Sequence, residues 1–113
     1  MNIHITFNIM TDLLKYFKLL SDETRFKLVG LLSQGEICVC ELAKKLEMDQ
    51  SLISHHLKRL RDADLIVDRK VGRWIHCSLN KEKFAYYESE YIKRFGNRNI
   101  FEIPCSTRQK CCG

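Results

Sequence analysis

The sequence predicts a mostly α-helical fold with a small β-hairpin, and three observations carry that prediction. Apolar residues recur at helical spacing along most of the chain. Two β-rich runs, residues 65–69 and 73–79, flank Lys70-Val71-Gly72, and in the second Ile75, Cys77 and Leu79 alternate with Trp74, His76 and Ser78. One proline and five glycines in 113 residues are too few to break so many helices or to make a low-complexity chain. The length fits one domain. A chain this short buries a modest share of its surface, and pairing with a second copy adds core, so a homodimer is expected.

The elements follow in order. A first helix is read over residues 11–20, with Leu13, Leu14, Phe17 and Leu20 on one side. Asp22 is a good N-cap for the second helix, Glu23 suits its first turn, and Gly35 is its C-terminal stop. Phe26, Leu28, Val29, Leu31 and Leu32 form its apolar face. A short helix over residues 39–46 leads through Glu47-Met48-Asp49 into a helix over residues 50–63, with Leu52, Ile53, Leu57 and Leu60 inward. Two short helices joined by a tight turn, the second with polar and basic residues outward, make the helix-turn-helix pattern. Residues 65–69 and 73–79 flank Lys70-Val71-Gly72 as a hairpin with a basic tip, where a winged helix-turn-helix carries its wing. Asn80 caps a last helix over residues 81–95, striped by Phe84, Tyr87, Tyr91, Ile92 and Phe95 and stopped at Gly96-Asn97. Residues 1–96 are assigned to a winged helix-turn-helix domain for DNA binding and dimerisation. Residues 97–113 are assigned to a flexible, cysteine-containing C-terminal tail.

Composition narrows the function classes. The net charge is +5, which permits nucleic acid as a partner. No apolar run approaches membrane-spanning length, and Met1–Met10 has no basic start or small-residue cleavage site. A cytoplasmic protein without a membrane partner is expected. There is no phosphate loop, no paired acid–base constellation and no Cys-x-x-Cys in a βαβ setting, so an enzyme is not expected.

The second helix of the motif places Gln50, Ser51, Ser54, His55 and Lys58 outward or N-terminal, where such a helix meets the major groove of double-stranded operator DNA. Lys58, Arg59 and Arg61 suit phosphates, as do Arg69, Lys70 and Arg73 around the wing. His55 and His56 diverge by about 100° on a helix and cannot share an ion. His55 is read as outward, His56 as nearer the core.

The six cysteines are Cys38, Cys40, Cys77, Cys105, Cys111 and Cys112. In a reducing compartment, clustered thiols point to metal or redox chemistry. Cys77 shares a strand face with Ile75 and Leu79 and is read as core. Helical residues two apart point about 200° from each other, so Cys38 and Cys40 would chelate one ion only if the first turn of their helix unwound. That turn supports the DNA-reading helix, which would link the two events.

The stretches LSDETRFKLVGLLSQGEICVCELAKKL, QSLISHHLKRLRDADLI and DRKVGRWIHCSL resemble the ArsR/SmtB family of metal-responsive repressors. The ICVCEL box is specific to that family's arsenic, antimony, cadmium and lead branches. The resemblance implies a dimeric repressor on operator DNA with dyad symmetry, joined through its terminal helices and released by a thiophilic ion, As(III) or Sb(III). It implies Cd(II) or Pb(II) as the alternative inducer, with Zn(II) able to occupy thiolates. Arsenic-type members carry a third cysteine where this chain has Ala43, and residues 1–37 hold no cysteine for the cadmium scheme. The last helix has Glu82, Glu88 and Glu90 but no histidine, which argues against the zinc-type site. Cys105, Cys111 and Cys112 are the remaining donors. About fifteen extended residues reach up to ~50 Å, so the tail either completes the Cys38/Cys40 site, from the same or the partner subunit, or forms its own three-thiolate site, or is accessory. Thiol oxidation is a further alternative trigger.

Overall fold

The computed structural model describes the backbone of residues 3–96 and the side chains of residues 7–96. Helices α1 (Ile3–Leu20) and α2 (Glu23–Leu32) precede a two-residue strand β1 (Ile37–Cys38). Helices α3 (Val39–Leu46) and α4 (Gln50–Asp62) form the helix-turn-helix. Strands β2 (Ile66–Val71) and β3 (Trp74–Leu79) form the wing, and α5 (Lys81–Phe95) closes the domain. The sheet order is β1-β3-β2 with both pairings antiparallel. The winged helix-turn-helix expectation therefore holds. The domain boundary itself cannot be compared, because the expected tail, residues 97–113, lies outside the described residues.

Local chemistry explains the boundaries. The Asp22 carboxylate accepts the Arg25 backbone N–H at 3.0 Å and starts α2. The Asn80 side chain accepts from the Lys83 backbone N–H at 3.3 Å and starts α5. Glu47 takes the left-handed conformation (φ 53°) that closes α3 and turns the chain into α4. The hairpin turn is Gly72-Arg73, one residue later than expected, with Val71 opposite Trp74. Gly72 has φ +61°, the sign that two-residue hairpin turns demand.

The core gathers one stripe from each element. Leu28, Leu42, Ile53, Leu57, Leu60, Leu65, Ile66 and Cys77 are fully buried. Truncating any of these leucines or isoleucines to alanine removes about 2–5 kcal/mol. Tyr16 of α1 stacks on Tyr87 of α5 with ring centroids 4.4 Å apart, and Phe84 meets it edge-on at 5.9 Å.

Four expectations are corrected. Helix α1 begins at Ile3 rather than near residue 11. Phe26 is 65% exposed, because the buried side of α2 is set by Leu28 and Leu32 and Phe26 lies about 200° from Leu28. Leu52 is exposed at the edge of the Ile53–Leu57–Leu60 stripe. Helix α2 ends with Ser33 as C-cap, and Gly35 (φ +146°) serves the turn into β1 instead. Strand β1 was not expected at all.

Candidate functional site

Helix α4 presents its polar residues as the spacing predicts. Gln50, Ser51, Ser54, His55, Lys58 and Arg59 are all exposed. His56 turns inward instead, its Nδ1 3.7 Å from the Asp22 carboxylate and 3.4 Å from the Arg25 guanidinium. It fastens α4 to the start of α2. The Arg25 backbone N–H holds the Asp22 carboxyl below its ordinary value.

The wing's cations divide by what they touch. Arg73 sits in the hairpin turn, exposed, with its guanidinium 5.2 Å from the Trp74 ring centre. Arg69 is exposed but engaged: its Nε and NH2 groups both donate to the Glu36 carboxylate, the former at 3.1 Å. Glu36 also lies 3.7 Å from His76 Nδ1. Arg61 of α4 pairs with Asp68 of β2 at 2.7 Å, tying α4 to the wing. On the far side of that carboxylate, buried Cys77 donates its S–H to Asp68 at 3.3 Å. Burial above all, then the Asp68 carboxylate, pushes the Cys77 thiol up to about 12. Cys77 is a core thiol, as the strand pattern predicts.

Cys38 and Cys40 meet without any unwinding. Cys38 is not in the helix: it is the extended N-cap of α3 (φ −70°, ψ 144°) and the last residue of β1, paired with His76 of the wing. Cys40 stands in the first turn of α3, and the two Sγ atoms are 3.1 Å apart. The divergence expected for two helical positions therefore does not apply. Two thiolates about 2.3 Å from one ion stand about 3.3–3.8 Å apart for angles of about 90–109°, so a small parting of the pair would seat one. The two thiols share a hydrogen bond, which holds Cys38 below the ordinary thiol value and Cys40 above it. The backbone N–H of Cys40 adds to the lowering at Cys38.

Both thiols are half-buried and open into a groove of about 310 Å³. Gln50 and Ser54 of α4 and Arg73 and Trp74 of the wing line the same groove. Among the described residues no cluster of three potential metal ligands forms. The candidate ligands Cys105, Cys111 and Cys112 lie outside the described residues.

What the sequence reading missed is β1. Its signal was faint: a β-branched isoleucine after Gly35-Glu36, too short to register as alternation.

A helix-turn-helix whose second helix is exposed and polar, closed by a two-stranded wing, defines a DNA-binding regulator rather than an enzyme. Residues 22–67 match the model of the family described as bacterial regulatory protein, arsR family. Over 101 residues the chain is 43% identical to the arsenical resistance operon repressor of Bacillus subtilis, covering 85% of this chain and 86% of that one. It is 48% identical over 68 residues to the arsenical resistance operon repressor of Escherichia coli, covering 59% of this chain and only 58% of that relative's length. The crystal structure of an ArsR family transcriptional regulator superposes with a TM-score of 0.67 at 31% identity, covering 83% of this chain and 94% of the other. The chain belongs to the ArsR family of bacterial transcriptional regulators.

Proposed function

We propose that this chain is a transcriptional repressor that binds operator DNA as a homodimer and lets go when Cys38 and Cys40 take As(III) or Sb(III). The observation that carries the reading is the 3.1 Å approach of the two Sγ atoms inside a groove shared with α4 and the wing. The donor set fits a thiophilic ion: two soft sulfurs, one with its thiol held below the ordinary value by its neighbour. When bound, such an ion supplies strong bonds to sulfur.

The chain's own residues supply the coupling. Cys38 is hydrogen-bonded into the wing through β3, so its position and the wing's position are one variable. Cys40 belongs to the helix that supports α4, and Val39, Leu42 and Ala43 bury that helix against the core. Parting the two sulfurs from 3.1 Å to seat an ion between them would shift α3 against the sheet, and Gln50, Ser54 and Arg73 around the same groove would shift with it. A ligand that favours one of two arrangements of a shared element weakens whatever needs the other. In this reading the bases meet Gln50, Ser51, Ser54 and His55, the phosphates meet Lys58, Arg59 and Arg73, with Arg69 joining them when Glu36 releases it, and a third thiolate comes from Cys105, Cys111 or Cys112.

Dimerisation has its own support. Phe7, Met10, Leu14 and Phe17 of α1 and Phe95 of α5 are exposed apolar side chains around one groove of about 320 Å³. A contiguous apolar patch of this kind marks a protein–protein surface.

X-ray absorption at the arsenic edge, which counts the sulfurs bound to the ion, tests the ligand set. With As(III) bound, X-ray absorption of the full chain should show three sulfurs. A Cys105→Ser/Cys111→Ser/Cys112→Ser chain should show two, with weaker ion binding. Three sulfurs in both chains would remove the tail from the site.

A further inference from the structure

We propose that Lys15 and Lys18 of α1, across a groove from α4, make a further contact with the DNA sugar–phosphate backbone from outside the helix-turn-helix and the wing; this rests on the DNA-reading role of α4 proposed above. The exposed face of α4 is bordered by two grooves. One holds the thiols and Arg73 of the wing. The other, about 650 Å³, lies on the opposite flank, where His55, Lys58 and Arg59 of α4 face Lys15 and Lys18 of α1. A helix seated in the major groove, which is about 12 Å wide, has a row of phosphates along each flank. The wing meets one row. The α1 side faces the other.

The charges suit that partner. Lys15 and Lys18 are three apart on α1 and share a face. Among the described residues neither has a carboxylate within ion-pair distance, and neither does Arg59. Arg25 forms part of the wall and is fixed there, its Nε donating to the Leu19 carbonyl at 2.8 Å. The lone carboxylate in the lining, Asp62, lies 3.7 Å from Lys58, with both side chains largely in solvent. Such a pair is weak and yields readily to a phosphate. Two elements thus converge cations on one concave strip that is continuous with the reading face. Contacts of this kind carry no sequence preference, and they fix where the protein sits on the duplex.

The test compares Lys15→Gln/Lys18→Gln with the unaltered chain and with Lys58→Gln. Binding to the chain's own promoter duplex and to a scrambled duplex is followed by fluorescence anisotropy across a salt series. Thermal melting confirms that each variant folds. The double variant is expected to weaken binding to both duplexes by the same factor. Its salt slope should fall by about one per lysine engaged in each subunit. Lys15→Arg/Lys18→Arg should restore both. Unchanged affinity and slope in a folded double variant, with Lys58→Gln weakened, overturns this proposal and leaves α4 as the reader. Failure of the unaltered chain to bind either duplex overturns the reading of α4, and this proposal with it.

Discussion

Arg69 in the wing strand β2 reaches across β3 and grips Glu36, the residue just before the thiol strand, through two hydrogen bonds. The pair spans the whole three-stranded sheet. It places a carboxylate against a wing arginine that would otherwise be free for phosphate, and it ties the segment bearing Cys38 to the same arginine. The Arg69 guanidinium also holds the Glu36 carboxyl below its ordinary value.

Removing that grip should loosen the coupling more than the fold. Both side chains are solvent-exposed enough that the pair adds little to stability. Glu36→Gln is expected to tighten DNA binding modestly, by releasing Arg69. It should also shrink the ratio of DNA affinities measured without and with As(III). Anisotropy titrations with and without the ion check both parts.

Asp22 is a stability residue rather than a binding residue. Asp22→Ala loses the N-cap of α2 and a neighbour of His56, and should destabilise the domain by about 1 kcal/mol. For a domain of this size that is a drop in Tm of about 4–8 °C. The folded-state pKa is depressed, so the contribution is present above the ordinary aspartate value and is lost as pH falls through the lowered one. Melts of both chains should therefore differ at neutral pH and converge in acid.

The apolar side chains of α1 give a sharper outcome. Leu14→Glu puts a charge on an exposed face and removes no buried side chain of the monomer core. Sedimentation should show a folded monomer, and operator affinity should fall at least tenfold as the two half-sites are no longer linked.

Thiol accessibility separates the described cysteines. In a chain with Cys105, Cys111 and Cys112 replaced by serine, an alkylating reagent should modify Cys38 and Cys40 in the folded protein. Cys77, fully buried and protonated up to about 12, should react only after unfolding. Mass spectrometry of the labelled peptides reads the result.

The sequence and the structure agree most closely where a single periodicity or a cap decides. Helices α3 and α5 fall at residues 39–46 and 81–95 as their apolar spacing requires. Asp22 and Asn80 cap as their chemistry suggests. The inward His56, the outward His55 and the core Cys77 follow from helix and strand geometry alone. What was not legible is tertiary. A two-residue strand has no period, and β1 exists only because β3 offers it an edge. The meeting of Cys38 with Cys40 depends on that strand, since pairing with His76 holds Cys38 extended and outside α3. The grip of Glu36 on Arg69 joins residues 33 positions apart and leaves no local trace.

The most direct test of the thiol pair as the sensor is release of promoter DNA by As(III), followed by anisotropy. The full chain is run beside Cys38→Ser/Cys40→Ser, both reduced. The account predicts equal DNA affinity without the ion, release of the full chain as As(III) is added, and no release of the variant in the same range. Release of the variant at the same As(III) concentration would contradict it and move the sensor away from β1 and α3.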